Sequence, residues 1–465
     1  MATQATPLDE RAVSALEESF RGSLLRPGDD GYDEARTVWN AMIDRRPALV
    51  ARCAGVADVI AAVNFGREQQ LPIAVKGAGH NIAGNAVVDD GLVIDLSAMQ
   101  SVRVDPATKT ARVEPGATLA AFDHEAQAFG LATPVGYNST TGISGLTLGG
   151  GFGWLSRRYG LTIDNLRGAD VVTAGGELVH ANEDEHADLF WGIRGGGGNF
   201  GVVASFEFDL HEVGPEVLSG LLVHPFEDTA EVMRAYREFV AEAPAEVTAW
   251  MVIRHAPPLP FIPEEWHGEK ILAIAAYYAG EMDEGEVALQ PLREIGEPIA
   301  DAIGPHPYVG WQQAFDALLA PGARNYWKSH NFVELTDGML DTFVEYGESL
   351  PTPESEIAIA QLGGAINDVP IDATAYPHRN AEFLMNLHTR WTDPARDDEC
   401  VAWARDCYDA MTPYATEGVY VNFISEEVGE ERAAYRENYD RLAELKRKYD
   451  PNNLFHLNQN VAPAA

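Results

Sequence analysis

Hydrophobic positions along the chain change period several times, and each change marks an element. An extended PALVARC, a helical VADVIAAVNFGREQ, a buried run LPIAV and a second run GLVIDLS open an α/β arrangement. SVRVDPATKTARVEP alternates on both sides of a Pro-containing turn and predicts a hairpin, and the helix LAAFDHEAQAFG ends on Gly130. ADVVTAGGELVHA predicts another hairpin, followed by the helix EDEHADLFWGIR and the strand VVASFEFDLHEV, so a first domain closes near Val213. Between about Leu218 and Ala415 the strands lengthen: LSGLLVHPF, VTAWMVIRHA, KILAIAAYYAG, EIAIAQLGGAI and AEFLMNLHTRW. They alternate with helical TAEVMRAYREFVAEA, LDTFVEYGES and CVAWARDCYDAM, which predicts an α+β domain with a largely antiparallel sheet under helices. The expected division is 1–213, 214–415 and a tail, 416–465, too short to fold alone. The tail reads as GVYVNFISEE, one helix ERAAYRENYDRLAELKRKYDP and NNLFHLNQNV. At the other end an amphipathic helix is expected, with Thr6 as cap, Pro7 in its first turn and Val13, Leu16 and Phe20 on one face.

Three glycine-rich stretches interrupt this pattern. KGAGHNIAG (Lys76 to Gly84) follows a strand, and Gly77, Ala78 and Gly79 let the backbone turn with its N–H groups exposed, as a pyrophosphate requires. GYNSTTGISGLTLGGGFGWLSRRYGLTIDNL (Gly136 to Leu166) is dense enough in glycine for backbone to approach a ligand or other backbone. The third, GGGGNFG, contains G-x-G-x-x-G at Gly196, Gly198 and Gly201. A helix precedes it and a strand follows, the reverse of the dinucleotide fingerprint, so a nicotinamide-binding Rossmann domain is rejected.

Composition narrows the partners. Lys and Arg number 33 against 71 Asp and Glu, giving a formal charge of −38, and lysine is scarce. Such a surface repels nucleic acid and anionic membranes and resembles that of proteins from salt-loving archaea, where concentrated salt screens self-repulsion. No secretion signal or run of ~20 apolar residues is present. Cys53, Cys400 and Cys407 read as core thiols, which fits a reducing cytoplasm. No H-E-x-x-H, C-x-x-C, phosphate-loop or G-x-S-x-G motif occurs, which removes metal hydrolase, nucleotidase and elbow-type hydrolase readings.

With KYDPNNLFHLNQN and YVNF, the three glycine stretches resemble the berberine-bridge-enzyme-like oxidoreductases of the vanillyl-alcohol-oxidase (PCMH-type FAD-binding) superfamily, over almost the whole chain. The resemblance implies an FAD-binding first domain, a middle domain roofing the flavin and a tail returning to it. It places Lys76, Gly77, Ala78, Gly79, His80, Asn81 and Gly84 at the cofactor, then Asn138, Ser139, Thr140, Gly142, Gly145, Leu146, Gly149, Gly150, Gly151 and Gly153, then Val203, Asn422, Asn458 and Asn460. His80 stands where the family bonds the flavin 8α-methyl group, and a neutral imidazole suits that task. The position of a second, cysteine attachment is Asn138, so FAD is expected to be linked through His80 only. The tyrosine that closes the plant Y-x-N-Y motif is Phe423 here, and another acid–base position falls near Met385. Tyr420, Tyr326 and Lys328 are therefore the candidate acid–base residues, and no metal is expected. The implied reaction removes a hydride from a CH–OH or CH–NH substrate, a sugar or secondary alcohol first of all, with oxygen or another acceptor reoxidising the flavin; Thr141 stands where relatives control oxygen access. A nicotinamide-dependent dehydrogenase and a non-catalytic binding protein on the same scaffold are the competing readings.

Overall fold

The computed structural model describes residues 8–425, 429 and 431–465. Its first helix, Glu10–Ser19, starts later than the sequence suggests. Asp9 caps it by accepting from Arg11 N–H, Val13 and Leu16 are buried, Phe20 is the C-cap, and Thr6 and Pro7 lie outside the described residues.

Two small sheets carry the first part of the chain. One has the order Ser23–Leu25, Leu49–Arg52, Leu92–Asp95, Ile73–Lys76; its first pair is antiparallel and the rest parallel. The other is antiparallel throughout: Val102–Asp105, Thr110–Val113, Gly201–Asp209, Leu166–Thr173, Leu178–Asn182. Helix Leu119–Gln127 packs under the second sheet through Leu119, Phe122 and Ala126.

The largest sheet is built from residues 216–391. Its path is Ala300–Asp301, Glu216–Pro225, Lys270–Tyr278, Val247–His255, Glu356–Gln361, Phe383–Trp391, Arg324–Phe332, antiparallel at every step, and Gly304–Pro307 also pairs with the second strand. The alternation of strand side chains decides what each face does. Met251, Ile253, Leu272, Ile274, Ile357, Ile359, Met385 and Leu387 face helices Thr229–Glu242, Met282–Arg293, Asp337–Glu348 and Asp397–Met411 and form one core with them. Met282–Arg293 escapes the sequence reading because Pro291 sits inside it. Cys400 and Cys407 share the buried face of Asp397–Met411, and all three cysteines are free and buried.

The tail departs from expectation in one respect. In place of one helix, Glu431–Tyr435 and Tyr439–Tyr449 are separated by a 3-10 turn, where Arg436 takes a left-handed φ of 45°. The break lets Tyr435, Leu442, Leu445 and Val461 all reach the core beneath the five-stranded sheet. No helix among the described residues is long and apolar enough to cross a membrane.

Candidate active site

A cleft of about 270 Å³ lies where the three glycine stretches meet. The strand Ile73–Lys76 delivers the first loop, and the short helix Ile143–Leu148 presents the second against it. The two touch so closely that a Cβ on Gly142 would stand 2.9 Å from the Ala78 nitrogen. Gly149 is packed just as closely against the Asn422 side chain, which brings the tail to the same cleft. The sequence distance between 77 and 459 collapses here into one wall.

Among the described residues, none of the backbone N–H groups from Gly77 to Asn81 donates a hydrogen bond within the protein. A run of unpaired donors in a turn with Gly79 at φ 76° is an anion-binding concavity. Asn458 donates to the Gly198 carbonyl at 3.0 Å while its Oδ1, like that of Asn460, is buried without a partner. Unpaired donors, orphaned amide oxygens and glycine walls together fit a phosphate-bearing, flat cofactor.

His80 stands at the mouth of the first loop, stacked on Trp39 with 5.3 Å between ring centroids. Burial pushes its pKa down to about 4, so the ring is neutral at physiological pH. Its tautomer follows from its neighbours. Asn138 Oδ1 accepts from the Thr140 N–H at 3.1 Å and from the Thr140 hydroxyl at 2.7 Å. That hydroxyl has then spent its proton, so at 3.0 Å it accepts from His80 Nε2–H. The lone pair is left on Nδ1, which has no hydrogen-bond partner among the described residues.

Of the sequence candidates, Gly77, Ala78, Gly79, His80, Asn81, Asn138, Gly142, Gly145, Leu146, Gly149, Val203, Asn422 and Asn458 line the cleft. Several others do not. Lys76 turns away, its ammonium donating to the carbonyls of Ala35 at 2.6 Å and Thr37 at 3.2 Å. Gly84 packs on Ile43, Gly153 on the Val135 carbonyl and Gly150 against Tyr376. Ser139 is tied to Asp316, Gly151 donates to the Tyr420 hydroxyl, and Thr140 acts through His80. Asn460 follows the lining residue Gln459 without lining the cleft itself, so its orphaned oxygen carries less of the cofactor fit than that of Asn458.

The candidate acid–base residues separate as well. Tyr420 lines the cleft, and its oxygen accepts from Gly151 N–H and from Asn422 Nδ2, each at 3.0 Å. Those bonds favour the phenolate but burial outweighs them, and the pKa is pushed up to about 12. Tyr326 and Lys328 are not brought to the cleft. They alternate with Trp327, which lines it, and so occupy the opposite face of Arg324–Phe332. There Tyr326 accepts from Arg405 at 3.1 Å and Lys328 lies 4.1 Å over the Tyr408 ring. Lys328 therefore cannot activate Tyr420. Met385 points into the helix-side core. Trp39 and Trp327 are wall residues outside the glycine stretches, and Tyr137 and Phe152 are wall residues inside the second stretch that were not singled out in the sequence.

An FAD binding domain model matches residues 47–182 and a berberine and berberine-like model matches residues 419–462. The chain is 32% identical to an FAD-linked oxidoreductase of Dictyostelium discoideum, over 97% of each chain. The chain belongs to the berberine-like FAD-linked oxidoreductases. It is 31% identical to the (R)-6-hydroxynicotine oxidase of Paenarthrobacter nicotinovorans, over 96% of this chain and 97% of that one. It also superposes on the xylooligosaccharide oxidase of Myceliophthora thermophila in complex with xylobiose, with a TM-score of 0.85, 28% identity and 98% and 99% coverage. As a berberine-like oxidoreductase it is an FAD-linked oxidase or dehydrogenase, and the cleft that its glycines enclose has the lining that such a cofactor fits. The helix Ala187–Ile193 before the third glycine stretch and the strand Gly201–Asp209 after it are the reverse of a nicotinamide fingerprint.

Proposed function

We propose that this protein oxidises a carbon bearing a hydroxyl or amine by removing a hydride, with FAD linked through His80 alone and with oxygen or another acceptor completing the cycle. The observation that carries this reading is the neutral His80, with its lone pair directed to Nδ1 by Thr140 and Asn138, beside a loop of unpaired N–H donors. The bound flavin supplies a two-electron acceptor; the protein supplies position and proton control. Residues 1–213 hold the cofactor, 214–415 the substrate, and 416–465 return Tyr420, Asn422 and Asn458 to the cleft. Support for a CH–OH or CH–NH substrate comes from the 6-hydroxynicotine and xylooligosaccharide oxidases that the chain resembles.

Tyr420 is the proton acceptor in this reading. Its oxygen already holds two donors, so it stays fixed, but at neutral pH it is a phenol and accepts only in the small fraction of molecules that have already lost that proton to solvent. The rate of flavin reduction should then rise about tenfold per pH unit below its pKa. The buried thiols and the acidic composition support a soluble, cytoplasmic, salt-adapted setting as part of this reading. The test is acid precipitation of purified protein. Yellow colour that stays with the pellet, and bleaches on adding substrate before precipitation, supports the reading. Colour released entirely into the supernatant ends the single-attachment claim, and a colourless stable fold returns the protein to a binding role.

A further inference from the structure

A second hollow of about 370 Å³ adjoins the cleft and shares Tyr137, Phe152, Leu319 and Phe423 with it. Its floor is the helix-free face of the large sheet, in two rows that the strand register makes explicit. Val223, Ala273, Val252, Ala358 and Asn386 lie side by side in one, and Leu221, Ala275, Trp250, Ala360 and Leu384 in the other. The alanines open the space, since their neighbours on the helix side are Ile, Leu and Met. Trp154, Trp311 and Phe315 close the sides; Trp154 stacks on Trp250 at 4.2 Å.

The few polar groups of this wall are already satisfied or withdrawn. Glu356 holds Arg254 at 2.7 Å and His388 at 3.4 Å. His306 Nδ1 is 3.0 Å from each of two carbonyls, of Ser219 and Gly304. The Asn386 amide and the indole N–H groups of Trp154, Trp250 and Trp311 are buried within the wall without partners, below its exposed surface. At the junction with the cleft a side-chain hydroxyl stands ready: the Tyr137 ring is held edge-on by Trp250 at 5.1 Å, and its hydroxyl has no hydrogen-bond partner among the described residues.

We propose that this hollow selects a neutral, ring-bearing alcohol, its apolar rings on the alanine floor and its hydroxyl at Tyr137, rather than a sugar. A sugar ring would bring several hydroxyls to a wall whose exposed surface is largely carbon, and each left unmatched lowers affinity roughly ten- to a hundredfold. A charged amine finds no unspent carboxylate, because Glu356 is neutralised by Arg254. The inference rests on the flavin reading only for which end of the substrate reacts.

Calorimetry on the purified holoprotein decides it with three probes: 1-naphthylmethanol, 1-naphthylmethylammonium and cellobiose. The alcohol should bind at least tenfold tighter than either other probe. Ala358→Phe, which fills the floor, should weaken it tenfold or more while bound flavin is retained. Tyr137→Phe should weaken 1-naphthylmethanol but leave 1-methylnaphthalene unchanged. Equal or tighter binding of cellobiose or of the ammonium overturns the proposal, as does unchanged binding to a folded Ala358→Phe; if that variant does not fold, the comparison of probes on the parent decides alone. Loss of the flavin reading shows separately, as a protein without yellow colour, and leaves these binding arms valid.

Discussion

The cofactor cleft and the adjoining hollow share four residues, yet they are made of different material. The cleft is made largely of main chain: glycine loops, unpaired N–H groups and close approaches such as Gly142 to Ala78. The hollow is made largely of side chains standing on alternate positions of five long strands. A main-chain site is written in short, contiguous stretches because only certain residues tolerate the backbone geometry. A side-chain site is spread over more than two hundred positions and can be refilled without disturbing the fold, which leaves the cofactor fixed while the substrate varies.

Changes in the cleft should have the larger effects. His80→Ala should abolish covalent flavin outright, with the colour of acid-precipitated protein passing wholly to the supernatant. Tyr420→Phe should slow anaerobic flavin reduction by about 10²-fold or more while FAD stays bound. In the parent the same rate should climb from pH 8 towards 11, because burial sets the phenol near 12 and only its deprotonated form accepts. A plateau centred near neutrality would transfer the role to another group.

A subtler test concerns the tautomer. Asn138→Leu removes the acceptor that commits the Thr140 hydroxyl, and should slow flavin attachment about tenfold while FAD still binds, as mass spectrometry of freshly loaded protein would record. In the parent, attachment should be indifferent to pH between 6 and 8. A histidine with its pKa lowered to about 4 is already neutral throughout that window, whereas an ordinary one would lose activity below 6.5. The smallest local effect on either site should come from salt, since the unpaired charge lies outside both. Raising KCl from 0.01 to 1 M shrinks the screening length from about 30 to about 3 Å and should raise the melting temperature by several degrees, leaving the flavin spectrum unchanged.

This division also explains what could be read in advance. The glycine stretches and His80 were legible because a turn with exposed donors leaves a compositional mark. Lys76 misled because it stands beside the loop, where alternation sends its side chain to the carbonyls of Ala35 and Thr37. Tyr326 and Lys328 misled for the same reason in Arg324–Phe332, a segment whose strand period was not recognised. Trp39 lies in no marked stretch, and Tyr137, though it stands in the second glycine stretch beside Asn138, has no local pattern to say that its ring faces a hollow formed by segments far along the chain. The alanine floor did leave a trace: KILAIAAYY and EIAIAQ put small residues on every second position, a sign that one face of a buried sheet is kept open.

Lys446 gives the cleft a place in time. Its ammonium, sealed from solvent, joins Asp450 at 2.7 Å, the carbonyl of Asn199 at 2.7 Å and that of Phe455 at 2.9 Å, and so ties the tail to the third glycine stretch. Residues 420–423 and 455–459 are walls that a ribosome delivers more than three hundred residues after the loop bearing His80. Until those residues follow, the loop bearing His80 stands beside half a binding site, and cofactor loading waits for them.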